Sequence, residues 1–302
     1  MADFILTHLP KKNTITPNAS NKYFLSHCAG RITSKTPTSE GWLKVIKSIK
    51  LNLTDYDKSR VLLGYLESYG SVIIKIGDSE DILNEYNISK VLHKIKGFVK
   101  YICFFECADD FRNIPSNTRE YICKGVGSSM KVIIMPHFPL GSLAQYNWSQ
   151  DNIHIFKSCI KQSILSYLIA FYKERIIHND FHAANILLKT TKSSYIEYDI
   201  PEIGTISLPT YGMRIWLIDF EKSSYADFST TYNMTNFNNF YNDINDKLIR
   251  NLRNFIRILD VPSIIPINTY LDKLYMKTSL IKKAELEQLF KLIDAITFNG
   301  TG

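Results

Sequence analysis

Residues 176–189 read IIHNDFHAANILLK, and four of them carry chemistry: His178, Asp180, His182 and Asn185. They stand in a short polar gap between two apolar stretches, the arrangement of a turn held by buried strands. A carboxylate five residues ahead of a carboxamide, inside such a turn, can face one point in space. His178, two residues before Asp180, can brace the turn through a backbone hydrogen bond. Further on, RIWLIDFEKS is an apolar strand that runs into a second carboxylate, Asp219. Strand ends that each present one oxygen are how a protein holds Mg²⁺ beside phosphates, because this ion takes hard oxygen donors and keeps some of its waters. Asp180 is then left to orient a hydroxyl nucleophile and accept its proton.

These residues need elements to position them. Residues 1–40 are polar and interrupted by Pro10, Pro17 and Pro37, which predicts an irregular N-terminal extension. From Gly41 the pattern firms up. RVLLGYLES and SVIIKIG are two apolar runs parted by Tyr69 and Gly70, a hairpin signal. DSEDILNEYNISKVLHKI then changes to helical spacing, with Ile82, Tyr86 (or Leu83), Val91, Leu92 and Ile95 on one side. Ser79 is placed to cap that helix, and acidic residues fill its first turn. FVKYICFFEC and KVIIMPHF read as further strands. Past PLGSL, the residues Ile153, Phe156, Ile160, Ile164, Leu168 and Phe171 recur at helical spacing and lead straight into the polar turn. DKLIRNLRNFIRIL and SLIKKAELEQLFKLIDAI are helical in pattern too. No internal repeat is visible.

Composition narrows the classes. With 302 residues, 45% hydrophobic, 13% aromatic and 22% charged, the chain is long and apolar enough for a sizeable core. No run approaches eighteen apolar residues, so no membrane span is expected. The start shows no secretory leader pattern. The balance of 36 basic to 29 acidic residues gives +7, but the lysines form no long block. Solvated faces account for them better than a nucleic-acid patch. Five cysteines, an odd number without metal-type CxxC spacing, read as reduced thiols of a cytosol-like compartment. Abundant Ile, Lys, Asn, Tyr and Phe fit an AT-rich genome, such as that of a large DNA virus or a parasite.

HNDFHAAN resembles the protein-kinase catalytic loop, H-R-D-L-x-x-x-N, and IDFE resembles the kinase D-F-G motif. Both occur in order, after a long helix. Working backwards, VIIK resembles the V-A-I-K strand, and the resemblance makes Lys75 the partner of the α- and β-phosphates of ATP. Taken alone, a lysine ending an apolar strand is equally an edge-strand gatekeeper. The resemblance assigns Glu85 to hold Lys75, although ten residues between them is short for the family and Glu80 is a rival. IIMPHFPLGSL resembles the strand and hinge behind the adenine, with Met135, Pro136, His137 and Phe138 offering backbone groups to the base. Asp180 and Asp219 lie 39 positions apart, about twice the family's usual gap. The inserted segment reads as strand, turn, strand and is similar to that of the haspin group of atypical kinases. FYNDINDKL resembles a later helix of that group, whose aspartate supports the catalytic loop. Asp243 is the candidate there, with Asp246 behind it; Asp243 as a plain helix N-cap is the alternative.

Several features depart from the pattern. No G-x-G-x-x-G precedes Lys75, since GYLESYG offers only Gly64 and Gly70. Glu221 stands where D-F-G has glycine, as it does in small-molecule kinases of the choline kinase type. No A-P-E follows, and only 83 residues remain after Asp219. His182, where Ser/Thr kinases often carry lysine, either contacts the γ-phosphate or stacks within the loop.

The resemblance therefore implies an α+β, bilobal protein-kinase-like fold. Residues 1–40 form the extension, 41–135 a β-rich N-lobe with one helix, and 136–302 a shortened, mostly α C-lobe. It implies an ATP- and Mg²⁺-dependent serine/threonine protein kinase with haspin-like features. Asp180, Lys75 and His182 are the catalytic candidates. Lys75, Glu85 and residues Met135 to Phe138 hold the nucleotide, and Asn185 and Asp219 hold the metal. The expected partners are ATP and a protein substrate, without membrane or specific nucleic-acid binding. The expected state is a monomer inside the cell, in the host cytoplasm if the chain is viral. The alternatives are a small-molecule kinase of the choline or aminoglycoside type and a pseudokinase binding module.

Overall fold

The computed structural model describes residues 29–32, 43–49, 59–66, 70–77, 80–107, 130–225, 265–275 and 281–297. Two compact units emerge, one from residues 1–90 and 100–139, the other from 91–99 and 140–302.

The first unit is built on a six-stranded sheet. Its strands are β1 (Ala29–Ile32), β2 (Leu43–Ile49), β3 (Ser59–Leu66), β4 (Gly70–Gly77), β5 (Cys103–Cys107) and β6 (Lys131–Pro136), in the order β1-β5-β6-β4-β3-β2. β1 pairs parallel to β5, and the other neighbours are antiparallel. The period of two along β4 buries Val72, Ile74 and Ile76 on one face and leaves Ser71, Ile73 and Lys75 on the other. In β6 the consecutive residues Val132, Ile133 and Ile134 are all buried, the mark of a strand covered on both faces. Helix α1 (Glu80–Leu92) follows β4. Its buried stripe is Ile82, Glu85, Ile88, Ser89 and Leu92, so a carboxylate occupies a core position.

The second unit is organised around α2 (Ile153–Glu174), 22 residues long and buried around most of its circumference. Such burial obliges its polar residues to find partners. Ser158 Oγ donates to Pro209 O at 2.5 Å, Gln162 Nε2 to Met213 O at 3.1 Å, and Ser163 Oγ to Cys159 O at 2.8 Å. The helix stops at Arg175, whose left-handed backbone (φ 55°) turns the chain into β7 (Ile176–Ile177). Three two-stranded ladders pack nearby. β7 pairs with β12 (Ser224–Tyr225), β8 (Ile186–Thr190) with β11 (Met213–Leu217), and β9 (Tyr195–Ile200) with β10 (Gly204–Pro209). β9 and β10 form the hairpin expected between the two aspartates. α3 (Ile265–Tyr275) and α4 (Lys283–Asp294) complete the described part, with Leu271, Leu274, Leu286, Leu289 and Ile293 buried.

Several expectations are corrected. Ala29–Ile32, inside the extension read as irregular, is a strand. Its residues carry little strand signal, and pairing with β5 recruits them. Among the described residues of the second unit, three two-stranded ladders accompany the helices. Residues 91–99 go with the second unit. There Gly97 O accepts from Leu217 N at 2.7 Å and Val99 N donates to Leu217 O at 3.1 Å. Gly97 is needed at that crossing: its φ is +88°, and an added Cβ would meet Ser166 Oγ at 2.0 Å. Cys103 is disulfide-bonded, so the thiols are not all reduced. Pairing depends on distance in the fold, which spacing along the chain did not reveal. Ser79, Asp243, Asp246 and the segment DKLIRNLRNFIRIL lie outside the described residues. Among the described residues, no helix is long and apolar enough to cross a membrane.

Candidate active site

In the first unit, the face of β4 that carries Lys75 turns its ammonium onto α1. Lys75 Nζ lies 2.9 Å from Glu85 Oε2, and the two side chains are 16% and 3% exposed. The Tyr101 hydroxyl donates to Glu85 Oε1 in a short hydrogen bond. Glu85 can thus stay in the buried stripe of α1, because both its oxygens are engaged. The rival, Glu80, is settled on another lysine: Lys131 Nζ reaches its Oε1 at 2.8 Å. Nothing in the spacing pointed to Tyr101 as a partner for Glu85.

The segment proposed for the base lies at the end of β6. Met135, Pro136 and His137 are half-buried and Phe138 is buried. His137 N–H donates to Ser71 O at 3.2 Å, and its Nδ1 lies 3.2 Å from Ser71 Oγ. That N–H therefore serves the sheet. Burial holds the His137 imidazole below its usual pKa and keeps it neutral near pH 7.

In the second unit, two ladders bring two loops side by side. β7 and β8 bracket residues 178–185, while β11 and β12 bracket 218–223. The loops are then tied together along their length. Ile218 N donates to Asn185 O at 3.0 Å. His178 Nε2 lies 3.0 Å from Ile218 O; a carbonyl only accepts, so the ring proton sits on Nε2. Ser223 Oγ donates to His178 O at 3.1 Å. Asn179 Nδ2 donates to Lys222 O at 2.8 Å and to Ser224 Oγ at 2.9 Å. Underneath, Phe220 packs on His178 at 5.2 Å and on Phe98 at 5.8 Å, and Phe181 stacks on Tyr167 at 4.8 Å. His178 is buried, and desolvation pulls its pKa down, so it works as a neutral brace.

The candidate residues ride on this frame. Asn185 Nδ2 donates to Asp180 O at 3.1 Å and lies 3.2 Å from His182 Nε2. Both amide protons are thereby committed within the loop, which orients the carboxamide and turns Oδ1 the other way. His182 accepts through Nε2, so it braces Asn185; its distance to Asp180 Oδ1 is 3.7 Å, too long for a hydrogen bond. Asp219 follows β11 with φ 66°, a left-handed backbone unusual for a non-glycine residue. Asn179 shares that conformation at φ 58°. Such strain persists only where the surroundings over-determine it, and it clusters at functional sites. Lys222, which sequence reasoning passed over, places Nζ 3.0 Å from Asp180 Oδ2. The run Glu221-Lys222 after Asp-Phe was its only signal in the sequence.

No family model matches the chain. Among curated proteins it is similar to uncharacterized protein ZK177.2 of Caenorhabditis elegans, 32% identical over 83 residues. That stretch is 28% of this chain and spans 28% of that protein's length. Among solved structures it is similar to the BubR1 kinase domain, with a TM-score of 0.48 and 14% sequence identity, over 83% of this chain and 79% of that one.

Proposed function

We propose that the chain is an ATP- and Mg²⁺-dependent phosphotransferase of protein-kinase type that transfers the γ-phosphoryl group of ATP to a serine or threonine hydroxyl of a protein. The observation that carries this reading is the tying of the HNDFHAAN loop to the IDFE loop, from Asn185 and Ile218 at one end to Asn179 and Ser224 at the other. A catalytic carboxylate and two metal-ligand candidates then ride on one rigid frame. The Lys75–Glu85 pair adds the cation that the kinase resemblance calls for.

The donor set fits Mg²⁺. Asn185 has both amide protons engaged and offers its carbonyl oxygen, and Asp219 offers a carboxylate, both hard oxygen donors. When bound, the ion would neutralise charge on the nucleotide's phosphates. Lys75, kept in place by Glu85, would bind the α- and β-phosphates. Asp180 would orient the acceptor hydroxyl and take its proton. His182 would act through Asn185 rather than on phosphate. The backbone of Met135 and Phe138 would serve the base, with His137 N–H already spent on Ser71.

A second reading, a small-molecule kinase of the choline or aminoglycoside type, draws on Glu221 in the place of the D-F-G glycine. The β9–β10 hairpin favours the protein-kinase reading, through the haspin-type insertion that it resembles. Radiolabelled ATP with Mg²⁺, offered casein, histone, choline and kanamycin in parallel, tests both. Label in casein or histone is the expected result, and Asp219→Asn should abolish it without altering the thermal melt. Label in choline or kanamycin would select the second reading. Label nowhere would leave a binding module.

A further inference from the structure

We infer that Lys222 is the positioning residue of Asp180, and that Asn179 sets Lys222 in place for it. This rests on the phosphotransferase reading of Asp180. An exposed lysine near a carboxylate is ordinarily a loose surface pair. Here the backbone of Lys222 is clamped to the very loop that carries Asp180. Asn179 Nδ2 binds Lys222 O and Ser224 Oγ, Ser223 Oγ binds His178 O, Ser223 N binds Phe220 O at 3.0 Å, and β12 pairs with β7 immediately afterwards. The side chain is 66% exposed, yet its root cannot drift. Asn179 supplies this clamp from a left-handed backbone, which asparagine tolerates better than most residues.

The consequence falls on one oxygen. Lys222 takes Oδ2 of Asp180 at 3.0 Å, while His182 Nε2 is turned to Asn185 and stays 3.7 Å from Oδ1. Among the described residues Oδ1 accepts no hydrogen bond, so it is the oxygen left to an acceptor hydroxyl. In the transfer, the acceptor O–P bond forms as the bond from the γ-phosphorus to the β,γ-bridging oxygen breaks. The electron pair leaves with ADP, and the hydroxyl proton passes to Oδ1. A carboxylate held at Oδ2 keeps Oδ1 on that line; released, it rotates among orientations that miss the proton. The Lys222 ammonium pKa is raised, first by the Asp180 hydrogen bond, so it remains the donor at neutral pH.

The test uses the full chain as parent, Lys222→Met, Lys222→Arg, Asn179→Gly and the Met/Gly double variant. Casein, histone, choline and kanamycin are offered with radiolabelled MgATP. Glycine at 179 keeps the left-handed backbone while removing the amide. Lys222→Met should lower kcat about 10- to 100-fold, part of the general-base contribution. The KM for ATP, the affinity for a fluorescent ATP analogue and the melting temperature should not move, and Lys222→Arg should restore most of the rate. Asn179→Gly should match Lys222→Met, and the double variant should be no worse than either. An active parent with an equally active Lys222→Met overturns the inference and leaves the phosphotransferase reading standing. Multiplying losses in the double variant overturn the role given to Asn179. A parent that labels nothing overturns the reading and the inference with it.

Discussion

Replacing Lys75 by methionine tests the buried ion pair without reference to activity. The methionine keeps most of the aliphatic stem, so the main change is the loss of the ammonium 2.9 Å from a carboxylate that is 3% exposed. Glu85 retains the Tyr101 hydroxyl but is left as a buried charge without its cation. Removing one partner of a buried pair costs about 3–5 kcal/mol. The carboxyl has an escape, which is to take up a proton. For a group of ordinary carboxylate pKa, about 4.3, that uptake costs about 3.7 kcal/mol at pH 7 and about 1 kcal/mol at pH 5. The penalty therefore has a ceiling that falls by about 1.4 kcal/mol for each unit of acidification. Urea unfolding of the parent and Lys75→Met at both pH values reads it directly. The expected loss is about 3 kcal/mol at pH 7 and about 1 kcal/mol at pH 5. Adding Glu85→Gln should recover most of the loss at pH 7, since the buried side chain then carries no charge. A methionine variant as stable as the parent at pH 7, or a loss equal at both pH values, would refute this account of how Glu85 tolerates the core.

Two further outcomes follow from the frame around the loops. Gly97→Ala should destabilise by about 3 kcal/mol, combining overpacking against Ser166 with a positive φ. Ser166→Ala should return part of that loss because the worst contact is with Oγ, and chemical denaturation of the three variants checks both. His178 is held neutral by burial, so its folded pKa lies below the unfolded value of about 6.5. The unfolded chain then binds the extra proton, and stability falls as pH drops through 6.5, with no contribution above it. His137 acts in the same sense. Melting curves from pH 7.5 to 5 should show a shallower fall in His178→Gln than in the parent, and equal slopes would contradict the burial argument.

Much of this architecture could be read from local pattern. The period of two in SVIIKIG and the helical spacing from Ile153 to Phe171 specify which face is buried, because side-chain direction follows backbone geometry within a few residues. The β9–β10 hairpin was legible between its turn residues for the same reason. The sequence also named His178, Asp180, His182, Asn185, Asp219, Lys75 and Glu85, since their types and order survive in a linear string. Tertiary structure alone decided how they are held. Glu85 rather than Glu80 meets Lys75 because Glu85 lies on the buried stripe of α1, where Tyr101 also reaches it. His182 meets Asn185 instead of standing free, and Lys222 meets Asp180 across 42 positions of chain. Such pairings depend on which strands become neighbours. A hydrogen bond is decided within a few tenths of an ångström, and only the assembled ladders β7–β12 and β8–β11 set distances that finely.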